Sequence, residues 1–149
     1  MRIALVSDEP SAVHAVLIAE LERRGHEVLR FGALASGKEE PWALVAEQAA
    51  LAVATGLCDQ GVFFCWTGTG ISIAANKVPG IRAALCGDPG TAQGARIWNH
   101  ANVLCLSNRT LSSGMAKEIV GAWLDAEVGH KGDEGVLLLS EVEGRHRSG

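Results

Sequence analysis

The sequence predicts an α/β fold: one parallel sheet of five strands with helices over both faces. Three observations carry this. The strand-like runs are apolar throughout instead of alternating, a helical pattern separates each from the next, and glycines punctuate the junctions. Strands buried on both faces belong to parallel sheets, because right-handed βαβ crossovers lay a helix over each face.

In order, "RIALVS" (residues 2–7) is the first strand. "SAVHAVLIAELERRG" (11–25) is the first helix, with Val13, Leu17 and Leu21 at helical spacing and Gly25 closing it. "HEVLRFG" is the second strand, and a polar loop runs over 31–40. "PWALVAEQAALAVATG" has Pro41 at the first helical position and Gly56 at its end. "QGVFFC" is the third strand, and a helix opening near Gly70 leads to "GIRAALC". "DPGTAQGARIWN" is helical, "ANVLCLS" is the last strand, and "SSGMAKEIVGAWLDAEV" the last long helix. That makes five strands and five helices. From about residue 129 a flexible tail is expected, in which "VLLLSEV" reads as a short helix or an added strand and the final residues as disordered.

The chain of 149 residues, 48% apolar and 20% charged, is long enough for one domain with a sizeable core, and residues 1–149 are read as a single domain. A net charge of −4 without a Lys/Arg cluster gives no footprint for nucleic acid or an anionic membrane. The N-terminus lacks a signal-peptide core and no run has the length of a membrane span, so a cytoplasmic location is expected. Cys58, Cys65, Cys86 and Cys105 have neither disulfide-frame nor zinc spacing and read as free thiols, with no metal site.

Loops after strand C-termini collect the ligand in such sheets. Here they hold Asp8 and Glu9, residues 31–40, Cys65 to Gly70, Gly87 and Asp88, and Ser107 to Arg109. "CWTGTG" (65–70) is a glycine-rich anion loop that lacks both the dinucleotide fingerprint and the Walker lysine. Its glycines let successive N–H groups point at one spot, which suits an oxyanion and favours the thiolate of a neighbouring cysteine. Cys65 is therefore a candidate base; the competing reading makes it a small core residue like the other three.

The long motif GxxxC-x-TGxGxSIAANKxxGIRAAxC, at residues 61–86, resembles the signature of the ribose-5-phosphate isomerase B family, which includes the galactose-6-phosphate isomerase subunits, and the similarity runs from residue 1 to about 126. The resemblance implies a Rossmann-like three-layer αβα sandwich, a homodimer or tetramer that interconverts phosphorylated aldoses and ketoses without metal or organic cofactor. It implies Cys65 as the base, Thr67 and the amides of Gly68, Thr69 and Gly70 as oxyanion donors, and Asp8 as the family's first-strand aspartate. Asn99 and Arg109 follow as substrate contacts, with sites completed across the dimer by the segment holding Trp98, Asn99 and His100.

Four departures fall on the site. Glu9 replaces the usual histidine after the first strand, Trp66 replaces a glycine after the cysteine, and Trp98 takes the ring-opening histidine's position, leaving His100 two residues on as a candidate. The phosphate-gripping C-terminal arginines have no counterpart among Lys131, Asp133 and Glu134. These changes keep the proton-transfer loop and remove cations, so retained chemistry on a changed substrate is expected: a smaller or differently phosphorylated sugar, a sugar acid or a neutral sugar before ribose 5-phosphate. The competing functions are a catalytically silent sugar-binding or assembly subunit and a nucleotide-binding protein. His14 reads as solvated or capping, Trp42 and Trp123 as core or interface aromatics.

Overall fold

The computed structural model describes residues 1–147. The elements are β1 (Arg2–Ser7), α1 (Ala12–Arg23), β2 (Glu27–Gly32), α2 (Ala33–Ser36), α3 (Trp42–Ala54), β3 (Gln60–Cys65), α4 (Thr69–Ala75), β4 (Ala83–Leu85), α5 (Pro89–Asn99), β5 (Val103–Ser107), α6 (Ser113–Asp125) and α7 (Asp133–His146). The five strands are all parallel and stand in the order β2-β1-β3-β5-β4.

The apolar strand runs explain the layering. β1, β3 and β5 are buried almost end to end, so both faces of the sheet need a helical cover. Ile3, Leu5, Val62, Phe64, Leu104 and Leu106 face α1, α5 and α6. Ala4, Val6, Phe63, Val103 and Cys105 face α3 and α4. Each fully buried Leu, Ile or Phe contributes roughly 1.5–3 kcal/mol of burial, and the period-2 split sends alternate residues of one strand to opposite layers. The result is the Rossmann-like three-layer αβα sandwich.

The structure adds two helices to the five expected. α2 is one turn inside the loop expected at 31–40, entered at Gly32 and left at Gly37, both with positive φ. α7 resolves the helix-or-strand alternative for "VLLLSEV" in favour of helix, with Asp133 and Glu134 in its first turn and Arg145 and His146 in its last, matching the helix dipole. It buries none of its residues fully, so no apolar stripe in the sequence announces it. The disorder expected for the final residues falls partly on 148 and 149, outside the described residues. β4 is shorter than "GIRAALC" because only Ala83–Leu85 pair with β5. Trp123 is a core residue, 1% exposed, its Nε1 donating to Gln60 Oε1 at 2.8 Å. No face of that ring is left for a partner subunit, which removes it from the interface role. Among the described residues no helix is long and apolar enough to cross a membrane.

Candidate active site

The chain leaves β1 through α1 on one face of the sheet and leaves the adjacent β3 through α4 on the other. Such a switch of direction opens a crevice at the strand C-termini, where open α/β sheets bind ligands. Ser7 pairs with Phe64 at the end of the β1–β3 ladder, so Asp8 stands beside Cys65. On the other side Cys65 pairs with Ser107 at the end of β3–β5. Asp8 and Glu9, Cys65 to Gly70, and Asn108 with Arg109 thus meet at one edge, as the order of elements predicts.

The Cys65 loop is held by its backbone. Asn108 N–H donates to the Cys65 carbonyl at 2.9 Å, Arg109 N–H to the Trp66 carbonyl at 3.1 Å, and Ser107 Oγ to the same Trp66 oxygen at 2.9 Å. Gly68 then turns the chain back with φ +78°, so that its N–H donates to Cys65 Sγ at 3.2 Å. A side chain at Gly68 would meet Leu85 Cδ1 at 2.6 Å and the Leu106 carbonyl oxygen at 3.1 Å. Thr67 and Thr69 share a hydrogen bond between hydroxyls, 2.6 Å apart. The N–H groups of Thr69 and Gly70 open α4, where first-turn donors have no partner within the helix. Cys65 itself is 5% exposed.

All four cysteines are free and buried. Burial pushes the Cys86 thiol up to about 11 and raises Cys58 and Cys105 as well, which holds these three as neutral packing groups. Only Cys65 has a backbone N–H aimed at its sulfur among the described hydrogen bonds.

Around this loop the walls are aromatic and acidic. Gly70 sits so close to Trp42, at the start of α3, that a Cβ there would lie 3.1 Å from the indole. Trp42 therefore lines the site, a role its helical setting did not announce. Asp8, Glu39, Glu40, Pro41 and Trp42 form a shallow cleft, tied together by the Glu40 N–H bond to the Asp8 carbonyl at 2.8 Å. Trp66 is 57% exposed at the mouth. The Arg109 guanidinium is exposed and has no hydrogen-bond or ion-pair partner among the described residues.

Burial, with Glu9 and Glu39 nearby, raises the Asp8 pKa above the usual carboxylate range. The folded state therefore binds the Asp8 proton more tightly than the unfolded chain does. Above the unfolded value near 3.8 the ionised Asp8 costs stability, a cost that grows as pH rises through the raised folded value and persists at neutral pH. Asp8→Asn is expected to raise the melting temperature at pH 7 and to leave it unchanged at pH 3; thermal denaturation at the two pH values checks this.

Trp98, Asn99 and His100 do not join the site within one chain. They end α5 and precede β5, whereas Cys65 lies level with the other end of β5, about 13 Å of extended strand away. Trp98 folds back over Gly94, where a Cβ would meet its ring at 2.6 Å. His100 caps α5 with φ +45°, its carbonyl accepting from Arg82 Nε at 2.9 Å and its Nε2 3.5 Å from Asp133 Oδ1. A more enclosed cavity of about 450 Å³ lies under α7, lined by Asn76, Arg82, Asn99, Leu139 and Glu143 among others, and contains none of the Cys65 loop.

His14 reverses its sequence reading. It is 3% exposed, its ring centroid 4.7 Å from that of Phe64, and its Nε2 is 2.9 Å from Asn108 Oδ1. Burial lowers its pKa below the ordinary imidazole range, the Asn108 bond and Glu9 working against that shift. His14 lies 94 residues from Asn108 in the chain, and only the β1–β3–β5 neighbourhood brings them together. Asn108 and Ser7 were not singled out in the sequence.

An open parallel α/β sheet with a buried thiol and a glycine turn at its switch-point crevice defines a Rossmann-like protein with a ligand site at the strand C-termini. The signature of the family described as Ribose/Galactose Isomerase matches residues 3–136. The chain is 42% identical over 130 residues to ribose-5-phosphate isomerase B of Escherichia coli (strain K12), covering 87% of each chain. It is 43% identical over 107 residues to D-erythrulose-4-phosphate isomerase of Pectobacterium atrosepticum, 72% of this chain and 70% of that one. The structure of ribose-5-phosphate isomerase B from Clostridium thermocellum superimposes with a TM-score of 0.90 at 37% identity, covering 99% of this chain and 100% of that one. The chain belongs to the ribose/galactose isomerase family, and it is an aldose–ketose isomerase.

Proposed function

We propose that the chain isomerises a short-chain sugar phosphate, with Cys65 as the base and an enediolate as the intermediate. The observation that carries this is the Gly68 N–H aimed at the buried Cys65 sulfur, in the loop whose next two N–H groups are unpaired helix-opening donors. Sγ takes the proton from C2 of the open-chain aldose, and the C–H electron pair forms the C1–C2 double bond as the carbonyl pair moves onto O1. The Thr67 hydroxyl and the N–H groups of Thr69 and Gly70 receive that oxyanion, while Gly68 supports the sulfur. Returning the proton to C1 and moving the O2 proton to O1 gives the ketose. Asp8 Oδ1, buried without a donor among the described residues, accepts a substrate hydroxyl.

The substrate's phosphate lies toward the exposed Arg109, because the flank around Asp8 carries Glu39 and Glu40. The aromatic walls of Trp42 and Trp66 and that carboxylate flank favour a four-carbon substrate, the class named for the Pectobacterium relative, over ribose 5-phosphate. The site is completed by Trp98, Asn99 and His100 of a second copy, since these residues end up at the far edge of their own sheet; sedimentation at assay concentration is expected to find the activity in a dimer or larger species.

The test is kinetic. D-erythrulose 4-phosphate is expected to be isomerised with a higher kcat/KM than D-ribose 5-phosphate, and Arg109→Ala to raise KM for either at least about tenfold, the worth of one charged hydrogen bond. An unchanged KM in Arg109→Ala, or a preference for ribose 5-phosphate, contradicts this reading.

A further inference from the structure

The crevice is backed by a chain of side chains that the isomerisation chemistry leaves unused. Asn108 Nδ2 donates to Ser7 Oγ at 3.1 Å and to Glu9 Oε1 at 3.3 Å, while its Oδ1 accepts from His14 Nε2 at 2.9 Å. Ser7 Oγ donates to the Glu9 carbonyl at 2.7 Å and accepts from the Glu9 N–H at 3.3 Å. The directions are mutually determined. Glu9 Oε1 can only accept as a carboxylate, so the amide nitrogen of Asn108 faces it; the amide oxygen then faces His14, which must carry its proton on Nε2. Burial keeps this imidazole neutral, and the tilted contact with Phe64 fixes its plane. Ser7 and His14 are buried in the core, at 0% and 3% exposure, and the chain of bonds surfaces at Glu9. The same Asn108 donates its backbone N–H to the carbonyl of Cys65.

We propose that Asn108, backed by His14, is a positioning residue for substrate choice: it holds the Glu9 carboxylate at a fixed place beside the Cys65 strand end, where that carboxylate accepts hydrogen bonds from the sugar's hydroxyl groups. This rests on the isomerase reading above and deepens it. A carboxylate on a free side chain samples many rotamers and loses entropy on binding a hydroxyl; one held by an amide that is itself held from behind has lost that freedom on folding. Neighbouring hydroxyls suit the two oxygens of a carboxylate, and a phosphate does not. Asn108 joins the group that reads the substrate to the strand that carries the base, so both keep one geometry.

Calorimetry in a Cys65→Ala background, where the sugar is bound without being turned over, reads this directly. With D-erythrulose 4-phosphate as the probe, Asn108→Ala is expected to weaken binding about tenfold and His14→Phe about fivefold, while His14→Gln, which keeps a donor, stays within about twofold. When Glu9→Ala is already present, Asn108→Ala and His14→Phe are expected to add nothing. With Cys65 restored, each variant raises KM by its binding factor and leaves kcat within about twofold. Equal penalties with and without Glu9 overturn the proposal, as does a fall in kcat at unchanged KM, or the absence of binding by both D-erythrulose 4-phosphate and D-ribose 5-phosphate. Asn108→Ser takes the place of Asn108→Ala if the alanine variant does not fold. Because binding is read without the thiol, activity that survives Cys65→Ala refutes the thiol as base and leaves the coupling between Glu9 and Asn108 standing or falling on its own result.

Discussion

Cys65→Ala is expected to lower kcat by about a thousandfold or more while the protein stays folded, the range that a positioned general base contributes. The fold tolerates the change because the side chain is small and its sulfur accepts one hydrogen bond, from Gly68 N–H. That N–H then has no acceptor in the loop, at a cost of about 1–3 kcal/mol. Cys58→Ala and Cys105→Ala are the controls. Both thiols pack in the layer under α3 and α4, and burial keeps both protonated, so each variant loses some packing energy and keeps its turnover. Steady-state kinetics with melting temperatures on the three variants separates a chemical role from a structural one. Full activity in Cys65→Ala, or equal losses in all three, removes Cys65 as the base.

Gly68→Ala is expected to produce the second large loss, about a hundredfold in kcat, with a stability cost from backbone strain and a steric clash added to the orphaned N–H that it shares with Cys65→Ala. Two physical effects combine there. The left-handed backbone at φ +78° costs an L-residue about 1–2 kcal/mol, and the new Cβ meets the Leu106 carbonyl oxygen at 3.1 Å and Leu85 Cδ1 at 2.6 Å. Leu85 can swing away, but the carbonyl belongs to β5 and cannot. The loop must therefore lift, which withdraws the Gly68 N–H from the sulfur and re-aims the donors of Thr69 and Gly70. Losing one such donor from an oxyanion site is worth about 2.7–4 kcal/mol, a hundredfold at the lower end. Gly70→Ala is milder, since its Cβ meets a partly exposed indole that can yield. Wild-type kcat in Gly68→Ala means that the turn does not aim the chemistry.

What the sequence made legible was whatever depends on local order. The three central strands are apolar at nearly every position, the helices between them carry their own end signals, and those facts fix which loops share an edge. Asp8, Glu9, Cys65 to Gly70 and Arg109 were located on that basis. What escaped depends on contacts between distant positions. The His14–Asn108 bond needs β1 and β5 to be brought within reach across β3, and nothing in "SAVHAVL" distinguishes a histidine turned inward from one turned to solvent. Trp42 and Trp123 look alike as aromatics on small-residue helices, yet one lines the crevice against Gly70 and the other is sealed in the core on Gln60. α7 buries nothing fully, so its apolar residues form no stripe that periodicity would detect. Trp98, Asn99 and His100 carried a family role without a place, and the direction of α5 sends them to the edge opposite their own Cys65.

Proton exchange tests the thiol–enediolate account most directly, because it reports the intermediate whatever the product is. The wild-type protein is incubated in deuterium oxide with four- to six-carbon sugars and sugar phosphates, and label at C1 and C2 is followed by NMR beside the Cys65→Ala variant. The account predicts deuterium at the carbon that receives the returned proton, with a sugar phosphate among the labelled compounds and no label formed by Cys65→Ala. Labelling at the same rate in both proteins, or isomerisation by the wild type without any solvent deuterium in a product that is formed reversibly over many turnovers, would contradict it.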